Sequence, residues 1–373
     1  MDRVLVTGGA GFIGSHLVDS LVRRGMQVRV LDSLDPQVHG PSGGPPSYLN
    51  PAAELIVGDV RDHGVLASAL EGMEVVFHLA AAVGVGQSMY QIARYVSINT
   101  LGTATLLETL VGRRGGVRKL VLASSMSIYG EGCYRCPTCG PVESMPRDEA
   151  RMREGQWEPL CPHCLEPLSP EPTRESKPLQ PASIYAISKK DQEEMALCIG
   201  RAYGIPTVSL RFFNVYGPRQ SLSNPYTGAA AIFSSRALNG KPPLVYEDGL
   251  QRRDFIHVTD VVQALLLAMD NQEADGGAFN VGTGRPLSIL EMAEIVCREV
   301  GPPGLRPVVT RRYRKGDIRH CYADIGRIAA LGFQPRVSFE AGIRELAEWV
   351  ANQTAEDRLD EANAELQLRG LVG

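Results

Sequence analysis

The sequence predicts an α/β protein: a doubly wound parallel sheet with a smaller C-terminal substrate domain and a cysteine-rich insert. Three observations carry that prediction. The chain opens on a strand, a glycine loop and a helix. Further strand-like runs follow, separated by helical segments, and two C-x-x-C pairs interrupt the alternation in mid-chain. Alternating strand and helix is the pattern of a parallel sheet covered on both faces.

Residues 4–7 (Val-Leu-Val-Thr) read as a short buried strand. Gly8-Gly-Ala-Gly11-Phe12-Ile13-Gly14 then turns into an apolar-periodic helix over 15–24, Gly25 ends it, and 28–31 form a second strand ending at Asp32. In this setting Gly8, Gly11 and Gly14 permit a tight turn, close backbone approach to a pyrophosphate, and close helix–strand packing. A purely structural glycine turn is the alternative, and a glycine triplet alone does not separate the two. Asp32 stands where a carboxylate accepts hydrogen bonds from adenosine ribose hydroxyls and repels a 2′-phosphate, so NAD is expected over NADP. Strand-like runs recur at 55–57, 75–79 and 119–123. Strand C-terminal ends line the ligand crevice of such sheets. Asp59 and Val60 are therefore expected at the adenine, and Leu79, Ala80 and Ala81 along the cofactor. Small residues at 80–82 fit tight packing equally well. Residues 40–46, rich in Gly and Pro, read as a loop over the adenosine end.

A chain of 373 residues is long enough for two domains and a substantial core. A formal charge of −4 and a pI near 6.0 give no electrostatic reason to expect nucleic acid or an anionic membrane as partner. The start has no signal-peptide pattern, and no run approaches the roughly 20 apolar residues that span a bilayer. A soluble, cytoplasmic protein is expected.

Five of the eight cysteines fall in one short segment; Cys198, Cys297 and Cys321 lie elsewhere and read as small buried residues. In a reducing compartment clustered thiols point to metal rather than disulfide. Cys136-Pro-Thr-Cys139 and Cys161-Pro-His-Cys164 form two knuckles of the spacing that holds tetrahedral zinc, each supplying two thiolates from a tight turn. Cys133 and His163 are spare donors, a set using Cys133 with Cys136 is the competing arrangement, and a redox disulfide pair is the non-metal alternative. Four protein ligands leave no open position, so the zinc is expected to be structural. Both ends of this zinc-ribbon-like insert feed the same region, so it is expected to cover or order the sugar pocket.

Tyr185 and Lys189, in Ser183-Ile-Tyr-Ala-Ile-Ser-Lys189, stand one helical turn apart and share a helix face. An ammonium beside a phenol favours the phenolate and lowers a pKa that is about 10 in free tyrosine. A phenol so tuned removes a proton from a sugar hydroxyl while a nicotinamide takes the hydride. Alone, Y-x-x-x-K is a weak signal, since a buried Tyr beside a surface Lys is common.

Its weight comes from company. The chain resembles the extended short-chain dehydrogenase/reductases, specifically their NAD-dependent nucleotide-sugar epimerase/dehydratase branch, from residue 1 to about 349 apart from the insert. The resemblance rests on Thr7-Gly-Gly-Ala-Gly-Phe-Ile-Gly14, Asp59-Val60, His78-Leu-Ala-Ala81, Asn99, Ser124-Ser-Met-Ser-Ile-Tyr-Gly130, Tyr185-x-x-x-Lys189, Arg211-Phe-Phe-Asn-Val-Tyr-Gly-Pro218 and Arg253-Asp-Phe-Ile-His257. It implies a Rossmann-type cofactor domain over 1–130 and 173–215, with the insert at 131–172. It further implies a mainly substrate-binding domain at 216–350, followed by a charged helical tail at 351–373. It implies that Ser125, Tyr185 and Lys189 are catalytic, that Tyr185, Lys189 and Asn99 also contact NAD, and that Ser125 polarises the reacting oxygen. Dehydratases of the family carry Asp and Glu after the catalytic hydroxyl, and decarboxylases commonly a Glu at the second position. Here those positions hold Met126 and Ser127, which disfavours elimination and decarboxylation and leaves reversible oxidation at one carbon, a 4-epimerisation. Gln87, Met126, Asn214, Tyr246, Arg253, Arg314 and Asp317 are the implied contacts to a dTDP- or UDP-linked sugar, with solvated surface charge as the plain alternative for the arginines. The insert and Asp35-Pro-Gln-Val-His39 are similar to those of the family's dTDP-L-rhamnose 4-epimerase group, which makes dTDP-6-deoxy-L-talose. An NAD(P)-dependent 4-reductase or dehydrogenase, and a non-catalytic dinucleotide-sensing zinc protein, are the competing readings. Segments 91–110 and 183–203 correspond to helices that form a four-helix dimer interface in the family, so a homodimer is expected.

Overall fold

A computed structural model describes residues 2–40, 43–113, 116–143, 146–221, 228–351 and 359–372, with side chains in 359–363 excluded. Residues 41–42 of the expected 40–46 loop and 352–358 of the expected tail lie outside the described residues.

Period-two burial builds the central sheet. Val4, Val6, Val30, Phe77, Val121 and Leu210 pack on one face, while Leu5, Leu31, Val76, Leu120 and Leu122 pack on the other. A strand buried on both faces reads as a continuous apolar run, as these do. Seven strands pair in parallel in the order Ala278–Val281, Thr207–Phe212, Lys119–Ser125, Val75–His78, Arg3–Thr7, Gln27–Asp32, Glu54–Val57. Order reverses at Arg3–Thr7, the switch point where such sheets hold ligands. The first helix runs Phe12–Arg23, beginning three residues earlier than its apolar spacing predicts, because Gly11 is its N-cap and the turn is that tight.

The seventh strand departs from the expected layout. Ala278–Val281 and the helix Val258–Asp270 lie within the segment assigned mainly to substrate binding, yet the strand pairs with Thr207–Phe212 and the helix joins the core under the sheet. The second domain proper is built from Asn214–Tyr216 beside Arg252–His257, which also pairs with Pro286–Ser288 and His320–Cys321. Helices Ala229–Leu238, Ile289–Val300 and Phe339–Ala351 close a separate core around Phe255.

The expected helix over 91–110 is not uniform. Ile92–Tyr95 is α-helical, Val96–Leu101 widens into a π turn, and Gly102–Gly112 resumes the α form. The helix bearing Tyr185 and Lys189 is Ile184–Tyr203, capped by the Ser183 side chain on the Ala186 amide and ended by left-handed Gly204. Between them the insert forms a three-stranded antiparallel sheet, Gly140–Val142, Cys133–Cys136 and Ser169–Glu171, with a short helix Glu149–Arg153. Its core is small: Tyr134, Cys136, Cys161 and Leu168.

A buried ion pair joins these parts. The Arg211 guanidinium donates to Glu193 at 2.5 to 3.1 Å, to the Tyr129 hydroxyl at 2.7 Å and to the Glu175 carbonyl at 3.0 Å. Tyr129 in turn donates to Asn280 at 2.7 Å, and Ser209 donates to Glu193 at 2.9 Å. Removing one partner leaves an uncompensated buried charge, so Arg211→Met is expected to lower stability by about 3–5 kcal/mol. Chemical denaturation checks this, and an unchanged midpoint would exclude a structural role for the pair.

Candidate functional site

A cavity of about 770 Å³ opens along the carboxyl edge of the sheet and runs under the second domain. Its glycines do different jobs. Gly8 has φ +71° and a Cβ there would lie 2.8 Å from the Ala80 amide nitrogen; one on Gly14 would lie 2.2 Å from the Gly8 carbonyl oxygen. These two serve chain-on-chain packing. A Cβ on Gly11 would meet only the Gly8 oxygen at 3.3 Å and otherwise fill the cavity beside Phe12 and Ile13. That helix start has no side-chain cap, so its amides remain for an anion.

Asp32 accepts from the Ala10 and Leu34 amides, each at 3.0 Å, and its carboxylate stays on the cavity wall with lone pairs left over. His39 stands 3.5 Å from it. Asp59 and Val60 line the same end. Hydrogen bonds from Arg61 hold the Asp59 carboxyl below its usual range. Leu79, Ala80 and Ala81 line the middle. Asn99 is not on the wall. It sits in the π turn and clamps Ala82, accepting from its amide at 2.7 Å and donating to its carbonyl at 3.1 Å and to Ser188 at 2.9 Å. Its cofactor role is therefore one of shaping the backbone that faces the cavity. The glycine cradle, the uncapped helix start and the Asp32 carboxylate together fit a dinucleotide.

Ser125, Tyr185 and Lys189 all line the cavity. Ser125 ends its strand and caps the tight turn Met126–Tyr129, accepting from the Ser127 amide at 3.2 Å and the Ser127 hydroxyl at 2.9 Å. Both Ser125 lone pairs are thereby engaged, and its own proton is left to donate. Ser127 is a residue that sequence reasoning noted only for lacking a carboxylate; its spacing of two from Ser125 was the available signal for this turn.

The titration of the pair differs from expectation. Burial raises the Tyr185 pKa above its ordinary value, and the opposing pull is a hydrogen bond with Ser125. Burial also pushes Lys189 down to about 7, with Glu193 opposing. Lys189 donates one of its three N–H groups to the Ala123 carbonyl, which leaves two for a ligand, and burial rather than this amine sets the direction of the Tyr185 shift. Desolvation outweighs proximity in so dry a site. Tyr95 packs edge-on against the Tyr185 ring at 6.4 Å between centroids and holds its orientation.

Of the expected substrate contacts, Gln87, Met126, Asn214, Arg253 and Asp317 line the cavity, and Tyr246 and Arg314 do not. The Arg314 guanidinium lies over the Tyr246 ring at 4.6 Å, covering the face offered to a nucleobase. Gln87 is tied to Gln37, Arg94 and Tyr95. Among the described residues the buried Asn214 Oδ1 has no hydrogen-bond partner. Arg253 donates to the Ile318, Arg319 and Arg252 carbonyls, which commits three of its five N–H groups.

Away from the cavity, Cys136, Cys139, Cys161 and Cys164 converge, their sulfurs within 4.8 Å of one another. Four sulfurs on a tetrahedral ion with bonds of about 2.3 Å sit roughly 3.8 Å apart, so the donor set fits zinc. Cys133 and His163 fall outside this group.

Comparison with known proteins agrees with this geometry. The profile of the NAD dependent epimerase/dehydratase family matches residues 4–151 and 161–282. The chain is 36% identical over 358 residues to a dTDP-L-rhamnose 4-epimerase of Burkholderia thailandensis, covering 94% of this chain and 95% of that protein. Its fold is similar to UDP-glucose 4-epimerase of Thermotoga maritima solved with UDP-glucose, at TM-score 0.76 and 32% identity, over 94% of this chain and 98% of that one. A Thermus thermophilus UDP-glucose 4-epimerase in complex with NAD superposes at TM-score 0.74 and 32% identity, over 94% and 100%. By glycine cradle, Ser–Tyr–Lys constellation and matched length alike, this chain belongs to the NAD-dependent epimerase/dehydratase family.

Proposed function

We propose that the protein inverts C4 of a nucleotide sugar through a transient 4-keto intermediate. The observation that carries this reading is that Ser125, Tyr185 and Lys189 meet in one cavity whose adjoining residues are Met126 and Ser127. Neither is a carboxylic acid, so no group stands there to drive elimination or decarboxylation. Bound NAD supplies a hydride acceptor that returns what it takes, and its oxidised ring carries a positive charge that favours phenolate. Tyr185 takes the C4 hydroxyl proton and later gives it back. Ser125, with both lone pairs occupied by Ser127, donates to the reacting oxygen and stabilises the charge that gathers on it as Tyr185 takes the proton. Lys189, fixed on the Ala123 carbonyl, holds the cofactor ribose. Gly11, Asp32, Asp59 and the Ala80–Ala81 backbone hold the rest of the dinucleotide.

The substrate favoured by this reading is dTDP-L-rhamnose, converted to dTDP-6-deoxy-L-talose. Its support is the name of the Burkholderia relative and the apolar Met126, next to Ser125 on the cavity wall, which suits a sugar bearing a methyl group at C5. A homodimer is supported by Ile92, Val96, Leu101 and Ile187, exposed large apolar side chains on the two helices concerned. Structural zinc at Cys136, Cys139, Cys161 and Cys164 is supported by the convergence of the thiols. The eight cysteines are unbridged, as suits a cytoplasmic protein, and no helix among the described residues is long and apolar enough to cross a membrane.

A panel of dTDP- and UDP-sugars read by NMR is expected to show inversion at one carbon without net consumption of NAD; stoichiometric NAD reduction would overturn the reading in favour of a dehydrogenase. Tyr185→Phe is expected to lose about 10²–10⁴-fold in kcat while keeping NAD and nucleotide-sugar binding. Cys136→Ser with Cys139→Ser is expected to lose zinc and to melt earlier, read by elemental analysis and thermal denaturation. Full metal content in that variant would refute the ligand set.

A further inference from the structure

Residues 313–319 carry three cavity-lining positions, Gly316, Asp317 and Ile318, and the carbonyls of Ile318 and Arg319 anchor Arg253. Alternate residues of this stretch are held by the insert. The Tyr313 hydroxyl donates to Glu149 at 3.3 Å and its ring lies 6.3 Å from that of Trp157. Lys315 pairs with Glu149 at 3.2 Å. Arg147 donates to the Asp317 carbonyl at 2.7 Å and pairs with Glu247 at 2.9 Å. Arg319, fully buried, donates to Glu158 at 2.6 and 2.9 Å while its backbone amide donates to Glu131 at 2.7 Å. The intervening residues turn to other tasks: Arg314 covers Tyr246, and Gly316 and Ile318 line the cavity.

Glu158 shows how firmly this grip is set. Burial would raise its pKa, but hydrogen bonds from His320 and Arg319 bring it down to about 2, so it stays ionised at neutral pH. The backbone amide of Arg252 donates to His320 Nδ1, which leaves the His320 Nε2 proton to donate to Glu158 at 2.9 Å. Glu247 and Asp248 complete the partners of Arg319 from the second domain. The insert, the second domain and the 313–319 stretch are thus joined by one charge cluster around the buried Arg319, Glu247 and Arg147, with Glu158 and Asp248 at its partly exposed rim.

We propose that Arg147, Glu149 and Glu158 of the cysteine insert are positioning residues for nucleotide recognition: they hold 313–319 and Arg253 in the shape that binds the nucleoside diphosphate half of the substrate. The insert then acts on affinity for the nucleotide and leaves the Ser125–Tyr185–Lys189 chemistry alone. The proposal deepens the nucleotide-sugar reading and rests on it. Its test uses dTDP and UDP themselves as probes, by isothermal titration of the full chain, alongside NAD titration and thermal melting. Arg147→Met and Glu158→Gln are expected to weaken nucleoside diphosphate binding about tenfold, with NAD affinity unchanged. Glu149→Ala, at a partly exposed position and outside the Arg319 cluster, is expected to fold normally and to weaken it roughly threefold. Arg147→Lys should recover part of the loss. Where a nucleotide sugar turns over, KM should rise in step while kcat holds. Unchanged nucleoside diphosphate affinity in all three variants would overturn the proposal, as would an equal fall in NAD affinity, the mark of general loosening. Wild-type protein that binds neither dTDP nor UDP would overturn it together with the substrate class, whereas the expected affinity changes in a protein that epimerises nothing would sink the epimerase reading alone.

Discussion

The Arg211–Glu193 pair is the interaction on which the arrangement of the site depends. It is made between a central strand and the helix that carries Tyr185 and Lys189, and it reaches Tyr129 on one side of the insert and Glu175 on the other. A long excursion between two catalytic elements would ordinarily let them drift apart. Here both ends of the excursion are fastened to one guanidinium, so the turn bearing Ser125 and the helix bearing Tyr185 keep their distance whatever the insert does beyond them. The hydrogen bond from Tyr129 to Asn280 carries the same fastening to the outermost strand.

A second constraint is dryness. The Tyr185 phenol and the Lys189 amine lie in a region where burial moves both toward their neutral forms. An enzyme of this design would gain its reactivity from groups that arrive with the ligands and from the donor supplied by Ser125, since burial disfavours the charged form of the neighbouring amine. Electrostatic effects are strong in such a place once the right charges are present.

Much of this was legible in the sequence, and the reasons differ by residue. The sheet was readable because its strands are buried on both faces and so appear as apolar runs. The glycine cradle was readable because Gly8 and Gly14 meet backbone atoms that tolerate no side chain. The four thiols were readable because knuckle spacing is local. What stayed hidden was long-range: the return of Ala278–Val281 to the main sheet, the covering of Tyr246 by Arg314, and the charge cluster of Arg147, Glu158 and Arg319, whose members are up to 172 positions apart. Against the expected acidification of Tyr185 by Lys189 stands the burial of both groups, which helical spacing does not report. Asn99 matched a family position, yet its task, clasping the main chain of Ala82, follows only from the widened turn it occupies.

That widened turn carries a constraint on how this stretch can change. Val96–Leu101 accommodates one residue more than a regular helix of the same height. Deleting a single residue within it would let the turn rewind to its ordinary pitch, the flanks staying near their present register while the residues of the turn itself are re-aimed. The amide of Asn99 would then swing off Ala82, and the main chain beside the cavity would lose its brace although no residue touching a ligand had altered. In this segment, chain length is as much a functional property as side-chain identity.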